Sequence, residues 1–234
     1  GCLLVHGFTG TPKEMLWMGQ DLNQRGYSVL GVRLAGHATV IEDMVRSRWE
    51  DWLYAVEDGW HLLNGISNQI FIIGLSMGGV LTLRFASEFP AAGIVAMSTP
   101  YALPDDPRMR YIKTISKFKP YLEKGKSDSL DQESLKGHIS YHANPTRSIG
   151  ELLDLLAEMR ANLPKITAPA LLMHSHNDQY VDPENLTKIY HDLGSADKTM
   201  LWLENSGHVI PREPEREIAY QATSDFIERI RESN

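Results

Sequence analysis

Short apolar runs alternate with longer amphipathic segments along most of the chain. The apolar runs predict strands at residues 3–5, 27–34, 70–74, 93–98, 169–174 and 199–203. The segments between them have helical spacing and predict a helix that ends at Gly26, followed by helices over 49–63, 77–89, 183–193 and 214–230. Buried strands separated by helices are typical of a parallel sheet covered on both faces, so the pattern predicts an α/β fold.

Two of the helices begin with the sequence of a capping box, in which a polar cap is followed three residues later by Glu. In the first helix, Thr11 is the predicted cap, Pro12 suits the first helical position and Glu14 completes the box. Ser148 and Glu151 form the same pattern later in the chain. We therefore expect both glutamates to act at helix starts.

Residues 101–165 interrupt the alternation of strands and helices. This stretch has no convincing strand, and its second half predicts one amphipathic helix. The apolar face of that helix consists of Ile149, Leu152, Leu153, Leu156 and Met159. Insertions of this length are usually lids or small subdomains, although a structural embellishment is the plain alternative. We predict a core of residues 1–100 and 166–234 and a helical cap over 101–165.

Composition narrows the class of protein. The chain has 234 residues, of which 42% are hydrophobic and 23% charged, so it is an ordinary globular chain of one large or two small domains. Its 23 basic and 30 acidic residues give a net charge of −7, which argues against a nucleic-acid partner. No apolar run approaches 18 residues, so we expect no stable membrane anchor.

The sequence also bears on the location and the oligomeric state of the protein. Cys2 is the one cysteine, so no internal disulfide is possible, which fits a cytoplasmic location. The first residues are too short and too uncharged for a signal peptide. They have the pattern of a strand that has already begun, so we expect that residues preceding this sequence are missing from it. We expect a monomer or a homodimer.

The strongest chemical motif is a Gly-x-Ser-x-Gly pattern at Gly74, Ser76 and Gly78, between a predicted strand and a predicted helix. A sharp strand-to-helix turn exposes the serine hydroxyl, and side chains at the two glycines would collide in that turn. The helix start also directs N–H groups at the site, where they favour negative charge. We predict that Ser76 is a nucleophile; an ordinary glycine-rich turn is the alternative.

A serine nucleophile needs a base and a third group that orients the base. On a sheet of this kind the three follow in the order serine, acid, histidine. Asp178 lies after the strand at 169–174 and His208 lies after the last strand, so they are the predicted acid and base. Asp182 precedes Pro183 and is better explained as a helix cap, and Glu204 is too early in its loop.

The loop after the first strand predicts an oxyanion hole. Acyl transfer builds a tetrahedral oxyanion, which two positioned N–H donors stabilise. One is expected from the residue after the nucleophile, Met77, and the other from Phe8 in the first loop. His6 is a tempting second catalytic histidine, but we expect it to brace this loop.

Other site chemistries fit less well. His174, His176 and Asp178 imitate a dinuclear metal motif, but position 179 is Gln and no further ligand set is evident, so we predict no metal. The chain has neither a Gly-x-Gly-x-x-Gly pattern nor a lysine phosphate loop, so no nucleotide site is implied. We therefore expect no cofactor.

Five blocks carry a family resemblance: Leu4-Val5-His6-Gly7-Phe8-Thr9-Gly10, Gly36-His37, Gly74-Leu75-Ser76-Met77-Gly78-Gly79, Asn177-Asp178 and Ser206-Gly207-His208-Val209-Ile210. In these blocks the chain resembles the α/β-hydrolase superfamily, and more narrowly the small bacterial carboxylesterases and monoacylglycerol lipases. The resemblance covers nearly the whole chain. It implies an α/β-hydrolase fold: a mostly parallel sheet flanked by helices, with an inserted helical cap over the pocket.

The resemblance implies a cofactor-free serine hydrolase that cleaves short- to medium-chain acyl esters or monoacylglycerols. Ser76, Asp178 and His208 match its triad, and Phe8 and Met77 match its oxyanion donors. A thioesterase, a carbon–carbon-bond hydrolase and a non-catalytic ligand-binding protein of the same fold stay open as alternatives. We predict substrate contacts from Ile149, Glu151, Leu153, Val181 and Val209. Glu151 would either bind a polar alcohol such as glycerol or act only as a helix cap.

Overall fold

A six-stranded parallel sheet forms the centre of the protein. The computed structural model describes residues 1–125 and 128–233. The strands in these residues are β1 (Cys2–Val5), β2 (Val29–Val32), β3 (Phe71–Leu75), β4 (Gly93–Met97), β5 (Tyr121–Glu123), β6 (Ala143–Pro145), β7 (Ala170–Ser175) and β8 (Lys198–Leu203). Six of them form the central sheet in the order β2-β1-β3-β4-β7-β8, and all neighbouring strands in it run parallel. The predicted parallel α/β sheet is confirmed.

The carboxyl ends of the strands align at one edge of this sheet. Gly74 in β3 pairs with Val5 in β1, and Leu75 pairs with Met97 in β4. Because parallel strands all end at the same edge, the loops that follow β1, β3, β7 and β8 come together there. These loops contain the residues that the sequence predicts for the functional site.

Helices cover both faces of the sheet. They are α1 (Leu16–Gln24), α2 (Ile41–Arg46), α3 (Trp49–Asn64), α4 (Met77–Ala86), α5 (Ile112–Ile115), α6 (Gln132–Gly137), α7 (Thr146–Asn162), α8 (Glu184–Asp192) and α9 (Arg216–Glu232). Buried side chains of α1 and α9 pack on one face, and those of α3, α4, α7 and α8 pack on the other. Within the described ranges, no helix is long and apolar enough to cross a membrane.

The inserted segment (residues 101–165) differs from its prediction in two ways. It contains a small antiparallel sheet of β5 and β6, so the expectation of no strand was wrong. Its main helix, α7, begins at Thr146 with Pro145 as the cap, and the predicted capping box does not form. Ser148 is buried and donates to the Met44 carbonyl at 3.0 Å instead. The division into a core and a cap stays a prediction.

At the start of the first helix, the predicted cap is confirmed but the predicted capping box is wrong. The side chain of Thr11 caps a 3-10 turn over Pro12–Met15, which leads into α1, and accepts a hydrogen bond from the Lys13 N–H. Glu14 does not complete the box. Its carboxylate is buried and accepts from the Gly7 N–H at 3.0 Å, so it supports the loop after β1 rather than the helix.

Candidate active site

Ser76 occupies a strained turn between β3 and α4. Its φ of 55° and ψ of −120° are sparsely populated for a residue with a side chain, and such strain occurs at functional sites. Steric contacts require glycine at both flanking positions, 74 and 78. A Cβ on Gly74 would lie 2.2 Å from the Gly78 carbonyl oxygen, and one on Gly78 would lie 2.2 Å from the Val5 oxygen. The fold thus presents the Ser76 hydroxyl at the carboxyl edge of the sheet.

Asp178 and His208 come from the loops after β7 and β8 and form a direct pair. Asp178 Oδ2 lies 2.8 Å from His208 Nδ1. The other oxygen, Oδ1, accepts from the Tyr180 N–H at 2.8 Å and the Val181 N–H at 2.9 Å. Burial raises the pKa of Asp178. The charge of His208 and the hydrogen bonds to Asp178 outweigh burial and hold that pKa well below its usual range.

Opposing effects also act on the imidazole of His208. Burial lowers its pKa, but the charge and hydrogen bond of Asp178, together with the charges of Asp128 and Glu14, raise it above its ordinary value. Because Asp178 accepts from Nδ1, the proton of the neutral ring resides on Nδ1. The lone pair of Nε2 is therefore available to accept a proton, as a general base requires.

The loop after β1 packs tightly against Ser76. A Cβ on Gly7 would lie 3.4 Å from Ser76 Cβ, and Phe8 lines the same cavity as Ser76. Met77 is the first residue of α4, and N–H groups in a first helical turn have no acceptor within the helix. The backbone amides of Phe8 and Met77 thus belong to the two elements that flank the serine.

His6 supports this loop and does not reach the cavity. Its Nε2 accepts from the Leu34 N–H at 3.2 Å, so Nδ1 carries the proton and donates to the Gly7 carbonyl at 2.9 Å. Burial, followed by the neighbouring His37, lowers the pKa of His6 to about 3, so the ring is neutral at ordinary pH. These contacts explain His6 as a brace between the segments that follow β1 and β2.

The cavity above Ser76 has a volume of about 360 Å³. Its lining is part apolar and part polar, and the inserted segment contributes residues of both kinds. The apolar residues that line it are Phe8, Met77, Pro100, Leu103, Leu152, Val181 and Val209. The polar and charged ones include Glu14, Lys124, Asp128, Ser134, His138, Ser140 and Asn144. Across residues 1–125 and 128–233, no group of three or more His, Cys, Asp or Glu side chains is arranged to hold a metal ion.

A family model for "Serine aminopeptidase, S33" matches residues 1–215, which is most of the chain. The chain belongs to the S33 family. It is a hydrolase of the α/β-hydrolase fold.

Two curated relatives match the S33 chain over nearly its whole length. The chain is 32% identical over 234 residues to a carboxylesterase of Bacillus subtilis (strain 168), covering 97% of this chain and 92% of the relative. It is 37% identical over 229 residues to a thermostable monoacylglycerol lipase of Bacillus sp. (strain H-257), covering 97% and 90%. The predicted resemblance to carboxylesterases and monoacylglycerol lipases is confirmed.

Solved structures agree with this fold. A structure from work on LipS and LipT, two metagenome-derived lipolytic enzymes, superposes with a TM-score of 0.92 at 31% identity and covers 98% of this chain and 93% of its own. The monoacylglycerol lipase of Paleococcus ferrophilus superposes with a TM-score of 0.80 at 19% identity, covering 96% and 92%. At that lower identity, the likeness shows the S33 chain's fold alone.

The five predicted substrate contacts separate into two groups in this S33 chain. Val181 and Val209 line the cavity, whereas Ile149, Glu151 and Leu153 are not among its lining residues. Glu151 is instead buried against the start of α3, where it accepts from the Arg48 guanidinium at 3.0 Å. On α7 the residue that reaches the cavity is Leu152. The apolar pattern predicted the helix, but not which side of it faces the cavity and which meets α3.

Several residues around the site were not predicted. The sequence predicts a helix cap at Glu14, because its spacing from Thr11 fits the capping pattern. Asp128 and Lys124 lie in the inserted segment, where no local motif distinguishes them from surface charges. Burial lowers the pKa of Lys124, while the charge of Glu14 opposes this change. Only the folding of the inserted segment over the sheet brings Asp128 and Lys124 to the cavity.

Proposed function

We propose that this chain is a serine carboxylic-ester hydrolase that works through an acyl-enzyme. The single observation that carries the proposal is the Asp178–His208 pair, 2.8 Å apart, in one cavity with the strained Ser76. The relatives named carboxylesterase and monoacylglycerol lipase support an ester as the substrate. The proposed substrates are short- to medium-chain acyl esters or monoacylglycerols.

The proposed reaction follows from the proton positions. His208 Nε2 accepts the Ser76 proton as the hydroxyl oxygen attacks the ester carbonyl, and Asp178 stabilises the charged imidazole. The oxyanion that forms accepts hydrogen bonds from the Phe8 and Met77 amides. His208 then protonates the departing alcohol and leaves an acyl group on Ser76. His208 then takes a proton from a water molecule as the water attacks the acyl carbonyl, and it returns that proton to the Ser76 oxygen as the bond to the acyl group breaks and the acid leaves.

The cavity accommodates both parts of such a substrate. Its apolar lining residues suit an acyl chain, and its polar ones, which include Lys124, Ser140 and Asn144, suit the hydroxyl groups of an alcohol such as glycerol. The alternatives of a thioester or a carbon–carbon bond use the same triad and are distinguished by substrate. The cytoplasmic location and the monomeric or dimeric state stay predictions.

The Ser76→Ala variant tests the nucleophile. We expect kcat for p-nitrophenyl butyrate to fall by roughly 10³–10⁶-fold, because the attacking oxygen is lost while binding and the oxyanion donors remain. Ser116→Ala, which removes a hydroxyl outside the cavity lining, is the matched control and should keep wild-type kcat.

Mass spectrometry and an unrelated substrate complete the test. A fluorophosphonate should add to Ser76 in the wild type, and the variant should stay unmodified with an unchanged melting temperature. An aminoacyl p-nitroanilide serves as the peptidase substrate that the family description suggests. Hydrolysis of the ester that survives Ser76→Ala, or turnover of the anilide in preference to the ester, would contradict the proposal.

A further inference from the structure

A carboxylate of the inserted segment contacts both loops that carry the base and its acid. Oδ2 of Asp128 accepts from the Gln179 N–H at 3.0 Å and from the His208 N–H at 3.1 Å. Gln179 directly follows Asp178, so one oxygen atom ties the backbone beside the acid to the backbone of the base. Hydrogen bonds to a charged acceptor are about twice as strong as neutral ones.

A second carboxylate, which lies outside the inserted segment, contacts the same two parts of the chain. Glu213 is fully buried, and its side chain accepts from the Gly207 N–H at 3.2 Å. The same carboxylate accepts from the Ser129 hydroxyl at 2.6 Å and the Leu130 N–H at 2.9 Å. The backbone at residues 128–130 and the loop after β8 (residues 204–209, the histidine loop) are therefore held together by carboxylates from both sides.

Gly207 makes the approach of Asp128 possible. A Cβ at this position would lie 2.7 Å from the Asp128 carbonyl oxygen and 3.2 Å from its Oδ1. The first of these distances is too short for any side chain, so the loop and Asp128 fit together only with glycine here. This tight fit is independent of the hydrogen bonds and indicates the same close docking.

We infer that Asp128 is a positioning residue for the proposed reaction. From the inserted segment, it holds the loop after β7, which carries the acid, and the loop after β8, which carries the base, in fixed positions relative to each other. The inference rests on the proposed function, because it concerns the same triad. In this role Asp128 does not touch the reacting atoms. It acts by fixing the backbone on either side of the Asp178–His208 hydrogen bond and by placing a negative charge near the imidazole.

The charge gives a measurable signature. Among the described residues, the charged groups that raise the pKa of His208 are Asp178, Asp128 and Glu14, and the Tyr180 ring centroid lies 5.4 Å from that of the imidazole. Lys124 and His138 line the same cavity. A carboxylate stabilises the protonated imidazole, so its removal lowers the pKa of His208. Since the base must be neutral to accept a proton, the acid limb of the rate then moves to lower pH. A residue that only stabilised the fold would leave that limb in place.

Two substitutions separate the charge from the tether. Asp128→Asn keeps an oxygen that can accept both N–H groups but removes the charge, whereas Asp128→Ala removes both. For p-nitrophenyl butyrate we expect Asp128→Ala to lower kcat by about 10- to 100-fold, with KM changed by less than about threefold. Asp128→Asn should lose less activity. Both should shift the acid limb of kcat to lower pH.

The control is Asp105→Asn, which makes the same change of charge at an exposed carboxylate of the inserted segment outside the cavity lining. It should keep the wild-type kcat and acid limb. Wild-type kcat in both Asp128 variants, or a lowered kcat with an unmoved acid limb, would overturn the inference. If Asp128→Ala fails to fold, the acid limb of Asp128→Asn decides the matter. A wild type that hydrolyses no ester would overturn the proposed function as well.

Discussion

Glu14 is a carboxyl group enclosed beside the serine and the first loop. It is 5% exposed, accepts from the Gly7 N–H and contributes to the cavity lining. Burial raises the pKa of Glu14 to about 7, although the Gly7 hydrogen bond and the charges of His208, Lys124 and Arg212 lower it. In the unfolded chain the same group has an ordinary, lower pKa. Its protonation therefore couples the fold to pH.

The Glu14→Gln variant tests this coupling. Between the unfolded pKa and about 7 the folded protein keeps a proton that the unfolded chain has lost. The stability contributed by this proton is complete at pH 4 and is lost as pH rises through 7. Glutamine is neutral throughout, so the variant should be more stable than the wild type at pH 8 by roughly 1–3 kcal/mol.

Urea unfolding at pH 5 and pH 8 measures the Glu14 effect, with the exposed Glu123→Gln as the control. The control should unfold like the wild type at both values. A Glu14→Gln protein that is less stable than the wild type at pH 8 would show that the carboxylate form is the one the fold requires.

Among the elements, α7 does most to anchor the inserted segment. Its residues Leu155, Leu156 and Met159 belong to the same buried cluster as α3 and α4. One helical turn before Leu155, the buried Glu151 accepts from Arg48, from the Trp49 N–H at 3.4 Å and from Arg147 at 3.3 Å. One carboxylate thus joins α7 to the first turn of α3.

We predict that Glu151→Ala destabilises the protein by about 1–3 kcal/mol, because a buried set of charged hydrogen bonds is broken. Asp154→Ala on the same helix is the matched control. Asp154 pairs with Lys113 at the surface, where both side chains are exposed, so its loss should cost about 0–1 kcal/mol. Thermal unfolding of the two variants compares them. Equal destabilisation would mean that Glu151 is not an anchor of α7.

The elements also show what the sequence could and could not predict. β3 and β4 are buried on every residue, so their continuous apolar runs identified them without tertiary information. β5 and β6 have three residues each, and Pro145 lies in β6, so no periodicity could develop. The start of α7 was misplaced because the hydroxyl of Ser148 bonds to Met44, which is remote in sequence.

The candidate site divides in the same manner. Ser76 was predicted because its strained turn imposes glycines at fixed spacing, and Asp178 and His208 because the topology dictates which loops they occupy. Asp128 was not predicted, because it meets Gln179 and His208 only through the path of the inserted segment. Local chemistry leaves a pattern in the sequence, whereas contacts between distant segments leave none.

At the scale of the whole molecule, the sheet and the inserted segment enclose the cavity together. Its volume of about 360 Å³ is near the lower end for ligand pockets. A long acyl chain would therefore have to leave the cavity or displace its walls. Leu152 of α7 and Leu103 supply the inserted segment's apolar contacts to the cavity.

This enclosure predicts the preferred acyl length. Across p-nitrophenyl esters from acetate to palmitate, kcat/KM should peak at a short to medium chain and fall by at least about tenfold at palmitate, because the longest chains cannot be enclosed. Leu152→Ala should move the peak to a longer chain, and the exposed Leu62→Ala should not. A flat profile, or a maximum at palmitate, would contradict the enclosure of the acyl chain.

The paired carboxylates at residues 128 and 213 have a consequence for protein engineering. Exchanging the insertion as a module for that of another hydrolase would remove the acceptor of the Gln179 and His208 N–H groups and the donors to Glu213. A transplanted insertion therefore has to bring an aspartate to the same place, with glycine kept at 207. The practical boundary of the module includes the histidine loop.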